Sequence, residues 1–157
     1  MLDRFSWILP QHLAVGPFPK TSVAIAFLRR MGVTAVLCLT EENERSISSE
    51  LFHNFVWERV PIPDGFTGGI PTEEQFALAL QILHRWHQKG HSVYVHCLAG
   101  VGRSPSVCVA YLVQSQGISL EEALRFVKER HADAAPDAFQ IQVMKNFFDR
   151  QTQILPP

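Results

Sequence analysis

The stretch of residues 96–105, HCLAGVGRSP, constrains the fold of this chain more than any other. It follows the apolar run 93–95, which predicts a short buried strand, and precedes the apolar segment 106–113, which predicts a buried helix. A glycine-bearing loop between a strand and a helix start is a typical anion site, because its unpaired backbone N–H groups converge on one point. In open α/β sheets such sites lie at the carboxyl ends of strands.

Apolar runs separated by glycine, proline and polar residues predict the other elements. They are strands at 7–9 and 13–15, a helix from Thr21 to about Met31, strands at 35–39 and 55–60, a polar loop at 40–49 with at most one helical turn, a loop at 61–71, and helices at 72–90, 104–117 and from 119 onward. Strands alternate with helices in the first two-thirds of the chain, and helices follow one another afterwards. This order predicts an α/β fold with a central, mostly parallel sheet flanked by helices and a helical C-terminal third.

The helix ends are marked by local signals. Thr72 with Gln75, and Ser119 with Glu122, have the spacing of capping boxes. Ser104 followed by Pro105 is typical of an N-cap and a first helical residue. Pro136 is expected to begin the last helix, whose core candidates are Phe139, Val143, Phe147 and Phe148.

The length and charge of the chain limit its classes of partner. With 157 residues it fits one domain, which we expect to span residues 1–157, and it can bury a sizeable core. The net charge of −1 supplies no basic field, so we expect neither a nucleic acid nor a membrane as partner, and we expect a monomer. Affinity for phosphate must then come from a built site.

The N-terminal segment and the cysteines indicate the compartment. Residues 1–20 mix charged residues and prolines into their apolar positions, unlike a signal peptide. The three cysteines are too few and too widely spaced for a disulfide scaffold or a zinc site. We therefore expect a reducing, cytoplasmic setting and no metal ion.

Cys97 and Arg103 stand at the two ends of the glycine-bearing loop. The thiolate is the reactive form of cysteine, and a helix N-terminus with a nearby arginine lowers the pKa of a thiol from about 8.5 to about 3.5–7.5. The planar fork of arginine suits two phosphate oxygens at once. The pair therefore predicts a thiolate nucleophile at Cys97 aimed at a phosphate, which is held by Leu98, Ala99, Gly100, Val101, Gly102 and Arg103. The Ser104 hydroxyl is placed to donate to the Cys97 sulfur and to stabilise it as a leaving group.

The pattern His96-Cys97-x5-Arg103-Ser104 resembles the signature of the cysteine-dependent protein phosphatases. The small size of the chain and its Ala99-Gly100 pair resemble the dual-specificity branch, and the likeness spans most of the chain. The resemblance implies a phosphatase catalytic domain without a cofactor, in which the cysteine forms a phosphocysteine intermediate.

The same resemblance implies an aspartic acid, some thirty residues before the cysteine, that protonates the leaving oxygen. Asp64, in the loop PIPDG between a strand and a helix, fits this role as general acid. A Pro-Asp-Gly turn is the structural alternative for Asp64, and both roles are compatible.

His96 is not expected to be a general base, because alternation along the strand points its side chain away from that of Cys97. The resemblance implies that His96 supports the loop by hydrogen bonding and helps to keep the cysteine ionised. Cys38 is expected to be a buried thiol, with a disulfide to Cys97 on oxidation as the alternative.

Two further segments are expected to be structural or solvated. Glu41, Glu42 and Glu44 predict a solvated acidic loop, with contact to the site as the alternative. His131 and Asp137 stand where the family has proline and asparagine, so their segment is interpreted as structural.

Three functions remain open at this level. The first is a metal-independent phosphatase that acts on phosphotyrosine, and on phosphoserine or phosphothreonine, in a protein or peptide. The second is a phosphate-binding module without turnover. The third is a related thiolate enzyme, such as a sulfur transferase, an arsenate reductase, or a phosphatase of RNA or of a phosphoinositide. The uncharged positions Leu98, Ala99, Val101 and Gly102 give no support to highly phosphorylated lipids as substrate.

Overall fold

A five-stranded sheet forms the centre of the structure, a computed structural model that describes residues 2–154. Its strands are β1 (Ser6–Leu9), β2 (Leu13–Gly16), β3 (Ala35–Cys38), β4 (Val56–Arg59) and β5 (Val93–His96). Their order is β1-β2-β5-β3-β4, and every neighbouring pair is parallel except the hairpin of β1 and β2. The predicted mostly parallel sheet and the predicted hairpin are confirmed.

Helices cover both faces of this sheet. They are α1 (Ser22–Arg30), α2 (Ser49–Asn54), α3 (Glu73–Gln88), α4 (Arg103–Gln116), α5 (Leu120–Arg130) and α6 (Ala138–Ile154). The larger core lies between the sheet and α3 to α6, and the smaller core lies under α1 and α2. None of these helices combines the length and the apolar character needed to cross a membrane. The predicted α/β fold with a helical C-terminal third is confirmed.

β5 is the central strand, and both of its faces are buried. Val93 and Val95 face the larger core, which also receives Cys97, whereas Tyr94 belongs to the smaller core. Because side chains alternate along a strand, His96 and Cys97 leave β5 toward opposite sides of the sheet. The prediction that His96 points away from Cys97 is therefore confirmed.

The start of α4 differs from the prediction. The helix begins at Arg103 with Gly102 as its N-cap, so Ser104 lies in the first turn and is not the cap. Pro105 is tolerated there, because the first four N–H groups of a helix have no partner within the helix. The Ser104 side chain is free for another contact, described below.

The start of α6 also differs. Asp137 caps the helix, with reciprocal hydrogen bonds to Gln140, so Pro136 precedes the helix. Gln140, Met144 and Phe147 form the buried stripe, which leaves Phe139 out of phase and 60% exposed. The prediction of Phe139 as a core residue was wrong for that reason.

Two smaller differences concern the middle of the chain and the capping boxes. The short helix α2 follows the predicted loop and was not predicted, although its Leu51 is fully buried. The Thr72 capping box is complete, whereas Ser119 accepts from the Glu122 backbone N–H, which is one half of the second box.

Candidate active site

The loop between β5 and α4 turns its carbonyl oxygens outward, because donors from other parts of the chain hold them. Cys97 O accepts from His96 Nδ1 at 3.0 Å, Leu98 O from the Phe18 N–H at 3.0 Å, Gly100 O from His131 Nε2 at 2.7 Å, and Val101 O from the Ala135 N–H at 2.8 Å. In a planar trans peptide the carbonyl and the following N–H point in opposite directions. The loop therefore presents its N–H groups to a common centre, as an anion site requires.

Gly100 makes the sharpest turn of this loop. Its φ is +75°, a conformation that L side chains rarely adopt, and a Cβ there would lie 2.7 Å from the carbonyl carbon of Gly16. The turn aims the Gly100 N–H at Cys97 Sγ, 3.3 Å away. Only glycine satisfies both the backbone conformation and the close approach to β2.

Cys97 is the only cysteine that lines the cavity formed by this loop, among the residues that the structure describes. The cavity measures about 300 Å³, and the sulfur lies 3.2 Å from Ser104 Oγ. Ser104 is fully buried, with Gly16 O as its other partner at 3.5 Å. The expected contact between the Ser104 hydroxyl and the Cys97 sulfur is therefore present.

Arg103 is buried in the first turn of α4, and Glu44 holds its guanidinium in place. Nη1 and Nη2 donate to the two Glu44 carboxylate oxygens, both at 2.8 Å, and Nη1 also donates to Ile62 O at 2.9 Å. Burial opposes the charge on Arg103, but Glu44, Cys97 and Asp64 raise its pKa, so the guanidinium stays charged. Its hydrogen bonds within residues 2–154 use Nη1 and Nη2, and the side chain also lines the cavity.

Asp64 lines the same cavity as Cys97. Its Oδ1 accepts from the Phe66 N–H at 3.0 Å and so caps a short 3-10 helix at Gly65–Thr67. Its Oδ2 lies 3.7 Å from Arg103 Nη2. One carboxylate oxygen thus serves the turn while the other faces the site, so the turn contact leaves the second oxygen available for the role of general acid.

His96 lies behind the loop and is fully buried. Its Nδ1 donates to the carbonyl of Cys97, its ring packs edge-on against Phe18, and its other side stacks on Tyr94. The Tyr94 hydroxyl donates to Pro17 O at 2.6 Å, which ties β5 to the segment after β2. These contacts support the loop from the side opposite the cavity, in line with the role that the resemblance implies.

Cys38 is the register partner of His96 and shares its side of the sheet, whereas Cys97 packs into the larger core. Burial raises the pKa of Cys38, but the neighbouring His96 ring and the Thr40 hydroxyl outweigh it and lower the pKa to about 6. The thiol contacts Thr40 Oγ1 at 3.1 Å, and all three cysteines are free. This placement gives no support to a disulfide between Cys38 and Cys97.

Sequence reasoning assigned two residues of the site less directly. Glu44 was expected in a solvated acidic loop, with contact to the site as the alternative, and the structure shows the alternative, because Glu44 pairs with Arg103. His131 was interpreted as structural, yet it bonds directly to Gly100 of the loop. The signal for Glu44 was its place just after β3, since β3 and β5 are parallel neighbours whose carboxyl ends lie at one edge.

Asp137 and Gln140 also border the cavity, because the start of α6 lies next to the loop. The wall is otherwise apolar, with Phe66, Leu98 and Val101 contributing to it. A wider groove of about 810 Å³, which includes His12 and Tyr111, is lined by none of Cys97, Arg103 or Asp64.

The arrangement brings together a nucleophile, converging N–H groups, a fixed cation and a carboxyl group. This set can bind a tetrahedral dianion, attack its phosphorus from the sulfur and supply a proton to a leaving oxygen.

Comparison with known proteins gives matches to phosphatases. Residues 15–149 match the family model described as dual specificity phosphatase, catalytic domain. The human dual specificity protein phosphatase 5 is 28% identical over 130 residues, which cover 83% of this chain and 32% of that protein. The Arabidopsis thaliana phosphatidylglycerophosphate phosphatase PTPMT1 is 31% identical over 116 residues, covering 74% of this chain and 34% of that protein. This chain thus spans about a third of the length of these relatives.

A solved structure of Tk-PTP in the active form superposes on this fold with a TM-score of 0.84. Its sequence is 31% identical, and the match covers 96% of this chain and 99% of that one.

Proposed function

Because this chain belongs to the dual specificity phosphatase family, we propose that it hydrolyses phosphate monoesters of proteins, phosphotyrosine first, through a phosphocysteine intermediate on Cys97. The observation that carries the proposal is the common cavity of Cys97, Arg103 and Asp64, with Cys97 Sγ within hydrogen-bond distance of Gly100 N–H and Ser104 Oγ.

In the first step the Cys97 thiolate attacks the phosphorus of the bound ester. The S–P bond forms while the bond from phosphorus to the ester oxygen breaks, and Asp64 gives its proton to that oxygen. The loop N–H groups and the Arg103 guanidinium bind the phosphoryl oxygens, where negative charge must be stabilised in the transition state. The bidentate contact with Glu44 keeps Arg103 in the orientation that this binding needs.

In the second step water attacks the phosphorus of the phosphocysteine. The S–P bond breaks, the sulfur leaves as a thiolate, and the Asp64 carboxylate accepts a proton from the water. The Ser104 hydroxyl, 3.2 Å from the sulfur, donates to the leaving thiolate. The cycle returns free phosphate and the starting protonation states, and it requires no metal ion.

The character of the cavity wall supports an aryl or hydroxyamino-acid phosphate as the substrate. The loop positions Leu98, Ala99 and Val101 carry no charge that would pair with additional phosphates. Phe66 stands at the rim on the loop that carries Asp64 and is 83% exposed, so it offers an apolar surface to an incoming side chain. We also propose a reducing, cytoplasmic setting, because the three cysteines of the sequence are few and widely spaced.

A lipid phosphate is the second candidate substrate. The observation that favours it is the 31% identity with a relative that bears the name phosphatidylglycerophosphate phosphatase. The proposed chemistry at Cys97 is the same for either substrate, so only the partner that reaches the cavity differs.

The test is phosphate release from a phosphotyrosine peptide, a phosphothreonine peptide, phosphatidylglycerophosphate in vesicles, a phosphoinositide and an RNA 5′-triphosphate, each measured with and without EDTA. We expect the phosphotyrosine peptide to be the best substrate and Cys97→Ser to abolish its hydrolysis. Cys108→Ala is the matched control, because Cys108 is a core residue of α4 whose pKa is raised by burial. EDTA-sensitive turnover, or turnover retained in Cys97→Ser, would overturn the proposal, and a preference for the lipid would select the second candidate.

A further inference from the structure

His131 lies at the end of α5, and both nitrogens of its ring have partners in other elements. Nε2 lies 2.7 Å from the Gly100 carbonyl oxygen, and Nδ1 lies 2.8 Å from the Ser6 hydroxyl of β1. The side chain is 1% exposed. Because a carbonyl only accepts, Nε2 carries the proton, and in the neutral ring Nδ1 accepts from Ser6.

The peptide between Gly100 and Val101 is the one that this histidine holds. If the plane of this peptide flipped, the Gly100 carbonyl oxygen would point into the cavity and the Val101 N–H would point out of it. An inward carbonyl would repel a phosphoryl oxygen and would remove one N–H donor from the anion site. Glycine offers little steric resistance to such a rotation, because it lacks a Cβ.

We propose that His131 is a positioning residue of the active site, which locks the Gly100–Val101 peptide in the orientation that binds the phosphoryl group. This inference rests on the proposed function, since the lock serves anion binding by the same loop. His131 does not touch the substrate, and its effect passes through the backbone of the loop.

Two features of the surroundings support a positioning role for His131. The next carbonyl, that of Val101, has its own donor in the Ala135 N–H at 2.8 Å, so the connection between α5 and α6 fixes two successive peptides of the loop. The Ser6 hydroxyl fixes the ring from its other end, which couples β1 to the loop through His131. A histidine with both nitrogens engaged in this way has one ring orientation available.

Three variants separate positioning from mere packing. His131→Leu removes the donor while it keeps an apolar side chain of similar bulk, His131→Gln keeps a terminal N–H donor, and Ser6→Ala removes only the support of the ring. The matched control is His91→Leu, because His91 also contacts a hydroxyl, Thr34 Oγ1 at 2.9 Å, but precedes β5 at the opposite edge of the sheet.

The measurement is the dissociation constant of tungstate, an inert tetrahedral oxyanion, by isothermal titration calorimetry well below the unfolding temperature, with kcat and KM for an aryl phosphate alongside. Loss of the partners that orient metal ligands weakens metal sites by about 10–100-fold, and a loop that binds an oxyanion is expected to lose affinity at the low end of that range. We expect about tenfold weaker tungstate binding in His131→Leu, a smaller loss in Ser6→Ala, recovery in His131→Gln and no change in His91→Leu.

A tungstate affinity that stays within twofold of the wild type in both Ser6→Ala and His131→Leu would overturn the proposal. So would a His131→Gln variant that binds as weakly as His131→Leu. If His131→Leu does not fold, the comparison of Ser6→Ala and His131→Gln with the wild type decides it. A wild-type chain that binds tungstate but releases no phosphate from any ester would overturn the proposed function and not the positioning role of His131 in anion binding.

Discussion

Glu44 and Arg103 form a bidentate ion pair, in which both terminal nitrogens of the guanidinium donate to the carboxylate at 2.8 Å. The Arg103 side chain is 3% exposed and that of Glu44 is 15% exposed, so water screens the pair little. The contact joins the loop after β3 to the first turn of α4 and orients Arg103 before any substrate is present.

Replacement of Glu44 by glutamine is expected to destabilise the protein. The amide keeps the shape of the side chain but sets an NH2 group against a guanidinium nitrogen. Among residues 2–154 it leaves Asp64, 3.7 Å away, as the only carboxylate within 4 Å of the buried charge. Losses of this kind cost about 2 kcal/mol when one partner is partly exposed. Urea denaturation at pH 7 measures the loss in free energy of unfolding. The control is Glu42→Gln, at an exposed position of the same loop, for which we expect no change.

The stabilisation from Glu44 should depend on pH. Burial raises the pKa of Glu44, but the hydrogen bonds from Arg103 and Glu41 outweigh it and lower the pKa below its ordinary value. A carboxyl group with a depressed pKa in the folded state stabilises the fold fully above its unfolded pKa of about 4.3, and the stabilisation disappears as the pH falls through the folded value. We expect the difference in unfolding free energy between wild type and Glu44→Gln to be constant from pH 7 to about pH 5 and to shrink below about pH 4. A difference that persists undiminished at pH 2.5 would contradict this assignment.

Asp64→Asn tests the general acid without removal of the turn. Asparagine keeps an oxygen for the Phe66 N–H but has no proton to give to the leaving oxygen. We expect kcat for a phosphotyrosine peptide to fall by about 10²–10⁴-fold, the usual contribution of general acid catalysis. An aryl phosphate with a strongly acidic leaving group should lose much less activity, because its oxygen leaves without protonation. An equal loss for both leaving groups would argue against proton transfer from Asp64.

Gly100→Ala is expected to damage both stability and anion binding. The positive φ alone costs a residue with a Cβ about 1–2 kcal/mol, and the new Cβ would meet the backbone of Gly16 as well. Gly117→Ala is the matched control, because Gly117 has φ +67° and its Cβ would meet no atom within 4 Å. We expect Gly117→Ala to lower the melting temperature only, and Gly100→Ala to lower it further and to abolish tungstate binding. Equal effects of the two variants would show that the approach to Gly16 is unimportant.

Ser104→Ala should slow the second chemical step more than the first. The hydroxyl donates to the sulfur when it leaves as a thiolate, and the loss of a single donor to developing charge costs about 10²–10³-fold. Rapid mixing with an aryl phosphate should then show a burst of aryl alcohol, close to one per enzyme molecule, followed by slow turnover. Ser115→Ala, at the far end of the same helix, should show no such change. Slow turnover without a burst would place the effect in the first step instead.

Much of the fold was predictable from local sequence. The strand at 93–96, the glycine loop and the buried helix follow directly from their apolar runs, and Thr21 and Thr72 cap helices where the sequence indicates. Predictions that depended on the exact phase of a helix were less accurate. The phase of α6 is set by the inward-facing Gln140, which exchanges hydrogen bonds with the capping residue Asp137 and also borders the cavity, and this placed Phe139 outside.

The sequence by itself determined the strand, the glycine turn and the helix start that carry the candidate nucleophile, because Cys97 to Ser104 are close in the chain, whereas the candidate acid Asp64 was indicated by the family resemblance. Only the tertiary structure decided which residues hold that loop in its binding form. Glu44 lies 59 residues before Arg103, and His131 lies 31 residues after Gly100. Such pairs depend on the strand order and on where the helices pack, and no local pattern of hydropathy encodes the side-chain partners of a buried arginine or of a carbonyl oxygen.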